Sequence, residues 1–545
     1  MTDPSRPSHS SPLSRRGLIS AIAVAGATVA VPLPMAHAAQ GAEGSEGPRA
    51  TRGNPRPAVV PALQEWDGGS GAYVLGPDSR VVVASHDATQ LLPLAQQLAR
   101  DIKEVSGIRL APPLVAGRRR PRPGEILLRL DPGARHPEGG ERYAREGYDL
   151  DVTRSTVTVT APAYNGAYYG TRSLLQALLT GGPTGERPTR THLPVGRARD
   201  WPNYRLRGFM LDVGRRFFTP DFIRGMLRVM GWFKVNDLQL HLNDNEIKAP
   251  GGDWSKAYDA FRLRSEKEKW EGLAAPDGAY SRADWDSFED LAALHAVQLT
   301  PEIDAPAHSR SFVRFRPELG LGGPNSDHLD LSKPETMRFM EEVFSEFAPW
   351  FRSPEVHYGA DEYTGPEEQY RTYFNQMAAH LRSLHKTPRA WGSLSEMAGG
   401  GASAYDHDVV MHSWNNGWYG PQAAKRDGYR QVVNTNDANL YIVPFADYYH
   451  GHGLDGPYLY GSWEPHVFPG TESLEPFDPV LRGAMSAVWN DLVHATYTED
   501  DVFGLVEPTF GTLAQKMWSG RGQGIGYEEF TALLRGVSVG PGARP

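Results

Sequence analysis

The sequence predicts an α/β fold, a (β/α)8 TIM barrel preceded by a small α+β domain. From residue 201 onward, short apolar runs alternate with segments of helical periodicity, in about eight repeats over roughly 340 residues. Residues 58–200 instead combine helices with strands of period two, which is typical of a separate small domain. We therefore assign residues 58–200 to the α+β domain and residues 201–545 to the barrel.

The composition excludes several classes of protein. Of the 545 residues, 56 are Lys or Arg and 65 are Asp or Glu, and the net charge is −9. This balance argues against a nucleic-acid partner, because such proteins concentrate positive charge. The absence of cysteine excludes thiol nucleophiles, cysteine-bound zinc, iron–sulfur clusters and disulfides.

The start of the chain, residues 1–38, has the features of an export signal. An Arg15–Arg16 pair precedes an uncharged segment over residues 18–35, and the sequence Ala-His-Ala that follows offers a cleavage site. A membrane anchor is the alternative, but this weakly apolar segment contains two prolines and makes a poor bilayer span. We expect secretion through the twin-arginine route, no stable membrane insertion, and a disordered tether over residues 39–57.

The α+β domain begins after this tether. Strand-like apolar runs occupy residues 80–83 and 125–128, and apolar spacing at three and four residues predicts a helix over 91–105. Two runs that alternate at period two, 148–152 and 156–160, suggest a hairpin. A second helix starts at Gly166. This region shows no group of residues with an evident catalytic pattern.

The barrel segment contains eight strand-like runs and several helices. The predicted strands are 209–213, 237–242, 299–303, 355–358, 389–391, 409–413, 440–443 and 485–489. A helix through residue 233 begins with Thr219 as the cap and Pro220 in the first turn, which is a favourable start for a helix. Further helices are predicted from Ser332 and Pro334 to residue 351 and over residues 367–386.

Polar and aromatic residues follow almost every predicted strand. They are Arg215, Asp244, Asp304, His308, Asp361, Glu362, Trp391, Trp414 and Asp491. Because the carboxyl ends of barrel strands meet at one mouth, we expect these side chains to converge there. Tryptophan rings stack on the apolar faces of sugars, and carboxylates and arginine bind hydroxyl groups. The sequence therefore predicts a carbohydrate site.

Asp361 and Glu362 are the most specific motif of this site. They follow the apolar strand 355–358 after two small residues. A solvated acidic turn is the alternative interpretation, but the position at a strand's carboxyl end favours a functional pair. Neighbouring like charges raise one pKa, and a carboxylic acid that stays protonated near neutral pH can act as a general acid.

These motifs resemble glycoside hydrolase family 20, the β-N-acetylhexosaminidases, over about residues 60–520. The motifs are Arg-Gly-Phe-Met-Leu-Asp-Val-Gly-Arg at 207–215, Leu-His-Leu-Asn-Asp at 240–244, Pro-Glu-Ile-Asp-Ala-Pro-Ala-His at 301–308, Asp-Glu at 361–362 and the helix start at 166–176. Each motif is weak alone, but five in this order are specific.

The resemblance implies substrate-assisted catalysis. Most retaining glycosidases use an enzyme carboxylate as the nucleophile, and family 20 is an exception to that rule. Glu362 would protonate the leaving-group oxygen and then activate water. Asp361 would orient the substrate's acetamido group, whose oxygen attacks the anomeric carbon. A tyrosine of the family contacts that oxygen; Tyr448 and Tyr449 are both candidates, and spacing favours Tyr449.

The resemblance also implies which residues bind the sugar and which support the catalytic acid. Arg215 would bind hydroxyl groups of the terminal sugar. The pocket wall and its closed end would be formed by Trp391, Trp414, Trp489 and Asp491. Asp244, Asp304 and His308 would support the catalytic acid. His241 lies in mid-strand, where a core histidine is the favoured interpretation. We expect an N-acetylhexosamine-containing glycan as substrate, no cofactor and no metal.

Two departures from the family pattern leave open whether the product is a monosaccharide or a disaccharide. The last strand ends Trp489-Asn490-Asp491 where the family usually has Trp-x-Glu, and the sequence after the second strand, 243–247, also differs. Both features are similar to a branch that includes the lacto-N-biosidases, which release a disaccharide. A glycan-binding protein without turnover and an unrelated barrel enzyme are further alternatives; a phosphate-binding enzyme is disfavoured because no glycine-rich phosphate loop is evident.

Replacing Arg15 and Arg16 together by lysine should stop export, because the twin-arginine route reads the arginine pair. Immunoblots should then find the protein inside the cell at its uncleaved mass. A matched Arg6→Lys variant, outside the pair, should be exported normally. Normal amounts of mature protein outside the cell after both replacements would point to another route.

Overall fold

The computed structural model describes residues 53–117, 119–181, 189–394, 404–520 and 524–543. The predicted signal and the tether as far as residue 52 lie outside the described residues. Within the described ranges, no helix is long and apolar enough to cross a membrane.

The first domain is a seven-stranded mixed sheet with two long helices on one face. Its elements are β1 (Glu65–Val74), β2 (Arg80–Ala84), α1 (Ala88–Ser106), β3 (Ala111–Ala116), β4 (Glu125–Leu130), α2 (Gly140–Glu146), β5 (Tyr148–Val152), β6 (Val157–Ala161), α3 (Tyr164–Thr180) and β7 (His192–Asp200). The strand order is β1-β7-β5-β6-β4-β2-β3. The predicted hairpin is the antiparallel pair β5–β6. Helix α1 buries its apolar stripe and ends at Gly107, which is left-handed with φ 77°.

The first domain packs against the barrel through buried polar contacts. The hydroxyl of Tyr169 in α3 donates to the carbonyl of Ala296 at 2.8 Å. Lys234 Nζ donates to Asp200 Oδ2 at 2.8 Å, and the same oxygen accepts the hydroxyl of Tyr148 at 2.5 Å. All of these side chains are buried, so the ion pair and its hydrogen bonds hold the two sheets in a fixed relation.

The second domain is a closed ring of eight parallel strands, which confirms the predicted barrel. Its elements are β8 (Leu206–Asp212), α4 (Pro220–Trp232), β9 (Asp237–His241), β10 (Asn243–Asn245), β11 (Asp259–Phe261), α5 (Arg282–Leu294), β12 (Gln298–Ala305), α6 (Arg310–Phe315), α7 (Pro334–Phe347), β13 (Glu355–Gly359), α8 (Glu367–Ser383), β14 (Thr387–Trp391), β15 (Val410–Ser413), α9 (Asn416–Tyr419), α10 (Pro421–Asp427), β16 (Val432–Asn434), α11 (Asp437–Leu440), β17 (Tyr441–Ile442), α12 (Gly456–Gly461), β18 (Leu481–Val488), α13 (Glu499–Trp518) and α14 (Tyr527–Val537). The ring runs β8-β9-β12-β13-β14-β15-β16-β18 and closes from β18 to β8.

The seventh strand position differs from the prediction, which placed it at residues 440–443. The ring position between β15 and β18 is filled by β16, a strand of three residues. β17 pairs farther along β18, with Tyr441 opposite Ala487. The helical turn α11 separates the two short strands, and the Asn436 side chain caps it by accepting the amide of Ala438.

Helix α4 begins as predicted: Thr219 Oγ1 accepts the amide of Phe222, and Pro220 occupies the first turn. Helix α7 begins at Pro334, after Lys333 rather than after a side-chain cap from Ser332.

The long connection from β9 to α5 crosses the barrel mouth as the hairpin β10–β11. Arg262, directly after β11, is buried and donates to the carbonyls of Val213 and Gly214 at 2.7 and 3.0 Å. It also donates to Asp277 Oδ1 at 2.7 Å. These bonds fasten the connection to the residues that precede Arg215.

Candidate active site

The Asp361–Glu362 pair lies at the mouth of the barrel, directly beyond the carboxyl end of β13, where the sequence placed it. The backbone is left-handed at Gly359, Ala360 and Glu362, with φ of 72°, 71° and 49°. A left-handed non-glycine residue costs about 1–3 kcal/mol, and such residues cluster at functional sites. The amide of Ala360 donates to the carbonyl of Ala305 at 3.0 Å, which holds this turn against β12.

Gly359 is needed for a second reason besides its left-handed backbone. A Cβ at this position would overlap the carboxylate of Asp304, which fills the space beside the glycine. The absence of a side chain therefore lets β13 approach Asp304 and places Asp361 close to it.

His308 connects the dyad to Asp244. Nε2 of His308 lies 3.2 Å from Glu362 Oε2 and 3.7 Å from Asp361 Oδ2. Its Nδ1 lies 3.0 Å from Asp244 Oδ1. Burial would lower the pKa of His308, but the charges of Asp244 and Asp361 outweigh burial and raise that pKa well above its usual value. His308 is thus a cation that faces both members of the dyad.

Asp244 binds two further cations. Arg215 Nη1 lies 2.7 Å from Asp244 Oδ2, and Nε2 of His241 lies 2.8 Å from the same oxygen. Burial raises the pKa of Asp244, but Arg215 and His308 bring it well below the ordinary range. Asp244 therefore stays ionised and orients His308.

Arg215 is held by three carboxylates in total. Besides Asp244, its Nη1 lies 3.2 Å from Asp212 Oδ2 and 3.5 Å from Asp491 Oδ1, and the guanidinium packs 5.7 Å from the ring of Trp489. The structure thus brings the predicted hydroxyl-binding residues Arg215 and Asp491 together at the end of the site formed by β8 and β18.

Asp304 lies beneath Asp361 and is fully enclosed. Among the described residues, no group hydrogen-bonds either of its carboxylate oxygens. Oxygen atoms of Asp304 and Asp361 and a ring nitrogen of His308 lie within 4.8 Å of one another. Burial and the neighbouring charge of Asp361 raise the pKa of Asp304 well above its ordinary value. Asp304 is therefore the carboxyl group that keeps a proton.

The three predicted tryptophans converge in one buried cluster with Tyr441. The ring of Trp489 lies 5.7 Å from those of Trp391 and Tyr441, and Tyr441 stacks on Trp414 at 6.4 Å with 5° between the planes. Tyr441 was not predicted as a site residue, because it begins the short strand β17 instead of following the carboxyl end of a strand.

Tyr448 and Tyr449 both pack against this cluster. The hydroxyl of Tyr449 donates to Asp437 Oδ2 at 3.2 Å, and that of Tyr448 donates to Asp491 Oδ2 at 3.1 Å. Asp437 also accepts Asn415 Nδ2 at 2.7 Å and was missed by the sequence analysis because α11 was not predicted. The preference for Tyr449 stays a prediction, and Tyr441 becomes a further candidate.

His241 is fully buried, in agreement with a core histidine, and its ring joins two carboxylates. Besides the contact with Asp244, Nδ1 of His241 lies 3.0 Å from Glu302 Oε1. Burial would lower the pKa of His241, but the charges of Glu302 and Asp244 raise it well above the usual value.

Two groups of side chains here have the composition of metal ligands: His241 with Glu302 and Asp304, and Asp304 with His308 and Asp361. Metals bind the neutral imidazole, and a protonated imidazole offers no lone pair. Both histidines lie at ion-pair distance from carboxylates in this arrangement.

Comparisons with known proteins agree with this geometry. The family model described as "Glycosyl hydrolase family 20, catalytic domain" matches residues 204–372. The model described as "Glycosyl hydrolase family 20, domain 2" matches residues 56–201, the α+β domain. The chain belongs to glycoside hydrolase family 20. The resemblance inferred from the five motifs is thereby confirmed.

Curated relatives of this family 20 protein have low identity to it. A lacto-N-biosidase of Bifidobacterium bifidum is 26% identical over 496 residues, which are 85% of this chain and 40% of that protein. A β-hexosaminidase of Akkermansia muciniphila is 24% identical over 405 residues, which are 65% of this chain and 76% of that protein. The chain thus spans less than half the length of the first relative and about three quarters of the second.

Solved structures of family 20 share the fold. A β-hexosaminidase of Streptomyces plicatus in complex with the product GlcNAc has a TM-score of 0.70 and 21% identity, covering 90% of this chain and 96% of that one. A β-N-acetylhexosaminidase of Streptomyces coelicolor A3(2) has a TM-score of 0.71 and 21% identity, covering 89% and 96%. The likeness extends over both domains.

Gly359→Ala should destabilise the family 20 protein by more than the strain of a left-handed alanine. Gly272→Ala is the matched control, because Gly272 has φ 86° and nothing within 4 Å of its Cβ position. We expect a loss of about 1 kcal/mol for the control and at least about 2 kcal/mol more for Gly359→Ala, from overlap with Asp304. The free energies of unfolding should be measured in denaturant. Equal losses for the two variants would contradict the proposed close approach of β13 to Asp304.

Proposed function

We propose that this protein is a secreted, retaining β-N-acetylhexosaminidase that removes terminal β-linked N-acetylhexosamine by substrate-assisted catalysis. The observation that carries the proposal is the Asp361–Glu362 pair at the barrel mouth, faced by the cation of His308 and close in the fold to a buried aromatic cluster. Secretion rests on the twin-arginine pair of the sequence.

Glu362 is the general acid and base of the proposed reaction. It gives its proton to the glycosidic oxygen as the bond to the anomeric carbon breaks, and it becomes a carboxylate. The cation of His308, 3.2 Å away, stabilises that carboxylate as it forms. Glu362 then takes a proton from the water that attacks the anomeric carbon.

Asp361 orients the nucleophile, which is the acetamido oxygen of the substrate. As this oxygen attacks the anomeric carbon, positive charge develops on the ring that forms, an oxazolinium ion. Asp361 accepts the acetamido N–H and stabilises this charge. Burial and the neighbouring charge of Asp361 raise the pKa of Asp304, which supports this role because a protonated Asp304 places no second negative charge beside Asp361.

The aromatic cluster and the arginine form the sugar-binding surfaces. Trp391 and Trp414 enclose the acetamido methyl group, and Trp489 supports the sugar ring. Arg215 and Asp491, 3.5 Å apart, bind the hydroxyls farthest from the scissile bond. A tyrosine hydroxyl donates to the acetamido oxygen, with Tyr449 favoured over Tyr448 and Tyr441.

Release of a disaccharide is the second candidate function. Asp491 is one methylene shorter than the glutamate usual in the family, which removes about 1.5 Å of reach. The similarity to a lacto-N-biosidase over 85% of this chain also favours it. The pocket would then hold a further sugar beyond the N-acetylhexosamine.

Wild-type enzyme should hydrolyse an aryl N-acetyl-β-glucosaminide and leave the aryl β-glucoside intact, because only the first carries the internal nucleophile. Glu362→Gln should lose about 10²–10⁴-fold on an unactivated glycan and less on the aryl substrate, whose leaving group needs little protonation. Asp361→Asn should lose activity on both acetamido substrates alike.

Glu368→Gln, an exposed carboxylate in α8, is the control for these two variants and should retain full activity. Hydrolysis of the glucoside at a comparable rate would exclude substrate assistance. Near-normal turnover of the unactivated glycan by Glu362→Gln would exclude that residue as the acid.

Asp491→Glu should shift the products from lacto-N-tetraose toward monosaccharide if the wild-type pocket accepts a disaccharide, because the longer side chain fills the space beyond the first sugar. Chromatography of the products from the two enzymes measures the ratio. Unchanged ratios would show that Asp491 does not set the depth of the pocket.

A further inference from the structure

Glu302 is a buried carboxylate for which the proposed reaction has no step. It lies in β12 with 0% exposure, opposite His241 of β9 and His357 of β13 in the parallel register. An ionised group so deep in a barrel is unfavourable unless it is paired and hydrogen-bonded. Its partners therefore indicate its role.

The carboxylate of Glu302 is bound on one side by the wall of the proposed sugar pocket. Trp391 Nε1 donates to Glu302 Oε1 at 2.5 Å, and Gln239 Nε2 donates to Oε2 at 2.8 Å. The indole ring of Trp391 thus has its orientation fixed by a charge-assisted hydrogen bond from below.

The same Oε1 of Glu302 also faces His241, whose Nδ1 lies 3.0 Å away. His357 Nδ1 is 3.3 Å from the same oxygen, but it accepts the amide of Gly359, so it is not a donor toward Glu302. Burial also lowers the pKa of His357 to about 3, which leaves this ring neutral. His241 is therefore the cation that balances Glu302.

A continuous series of close contacts joins Glu302 to the dyad. Its successive distances are 3.0 Å from Glu302 to His241, 2.8 Å from His241 to Asp244, 3.0 Å from Asp244 to His308, and 3.2 Å from His308 to Glu362. From Glu302 to His308 the charges alternate in sign, so each group holds its neighbours in place. The other titratable groups that face it are Arg215, Asp304, His357 and Asp361.

We propose that Glu302 is a positioning residue that ties the indole of Trp391 to the His241–Asp244–His308 series, and so fixes the acetamido wall and the general acid relative to each other. This inference rests on the proposed function. Glu302 does not touch the substrate; it acts through Trp391 on one side and through His241 on the other.

Glu302→Gln is the decisive variant, since it removes the charge and keeps the shape. Its amide oxygen can still accept Trp391. Gln239 can turn its own amide to face the new N–H group, because Oε1 of Gln239 has no hydrogen-bond partner among the described residues. His241 then loses one of its two carboxylate partners and keeps Asp244.

We expect kcat/KM of Glu302→Gln to fall about 10- to 100-fold on an unactivated N-acetylhexosaminide and less on the aryl substrate, because misplacing the acid slows proton transfer. The basic limb of the pH profile should move to lower pH. The variant removes one negative charge from the series that ends at Glu362, while His241 keeps Asp244 as its counter-ion, so the ionised form of the general acid becomes more favourable.

Glu355→Gln is the matched control. Glu355 is another buried glutamate of the barrel wall, paired with Arg389 and Arg482 at the opposite end of β13. This variant should lose stability without changing the pH profile or the dependence on the leaving group. His241→Gln should reproduce the leaving-group dependence of Glu302→Gln and carries the test if the latter does not fold.

Losses that are equal for both leaving groups, with unmoved pH limbs, would overturn the positioning role of Glu302. Absence of wild-type activity on either acetamido substrate would instead refute the proposed function. The two failures are therefore distinct.

Discussion

Every carboxylate inside this barrel must meet a cation or keep a proton, because burial removes the water that would hydrate its charge. Asp244 meets the first condition with Arg215 and the two histidines beside it. Asp304 meets the second, with a pKa raised by burial and by Asp361. A protonated Asp304 thus places an uncharged carboxyl group next to Asp361.

The same constraint governs the other end of the barrel. Arg389, in the middle of β14, binds Asp237 of β9 and Glu355 of the adjacent β13, and Arg482 of β18 donates to Glu355 Oε1 at 2.8 Å. The pairs Arg389–Asp237 and Arg482–Glu355 link strands that are not adjacent in the ring, so they hold the amino-terminal end of the barrel together. The two ends use similar chemistry, and the mouth is the end that carries the Asp361–Glu362 pair.

The sequence predicted the fold and most of the site because the carboxyl ends of the strands can be located from the apolar runs. Carboxyl ends of parallel strands meet at one edge, so residues such as Arg215 and Asp361 could be grouped without contacts being known. Glu302 was overlooked because a buried ion pair in mid-strand has no sequence pattern. Asp437 was missed because α11, at four residues, is too short to show a period. The sequence left open whether Tyr448 or Tyr449 faces the acetamido group. The direction of each side chain depends on the backbone there, and the left-handed conformation of Tyr449 is set by tertiary packing.

At the seventh position of the ring, two short strands, β16 and β17, replace a single strand. Elsewhere in the ring, one strand both pairs with its neighbours and leads to site residues. β16 closes the barrel, whereas β17 carries Tyr441 into the aromatic cluster and leads to the loop with Tyr448. The loop that follows β17 can therefore change the pocket while β16 keeps its pairing with β15 and β18. The segment between the two strands is mostly buried, so directed libraries that aim to change substrate range are better placed in the loop after β17.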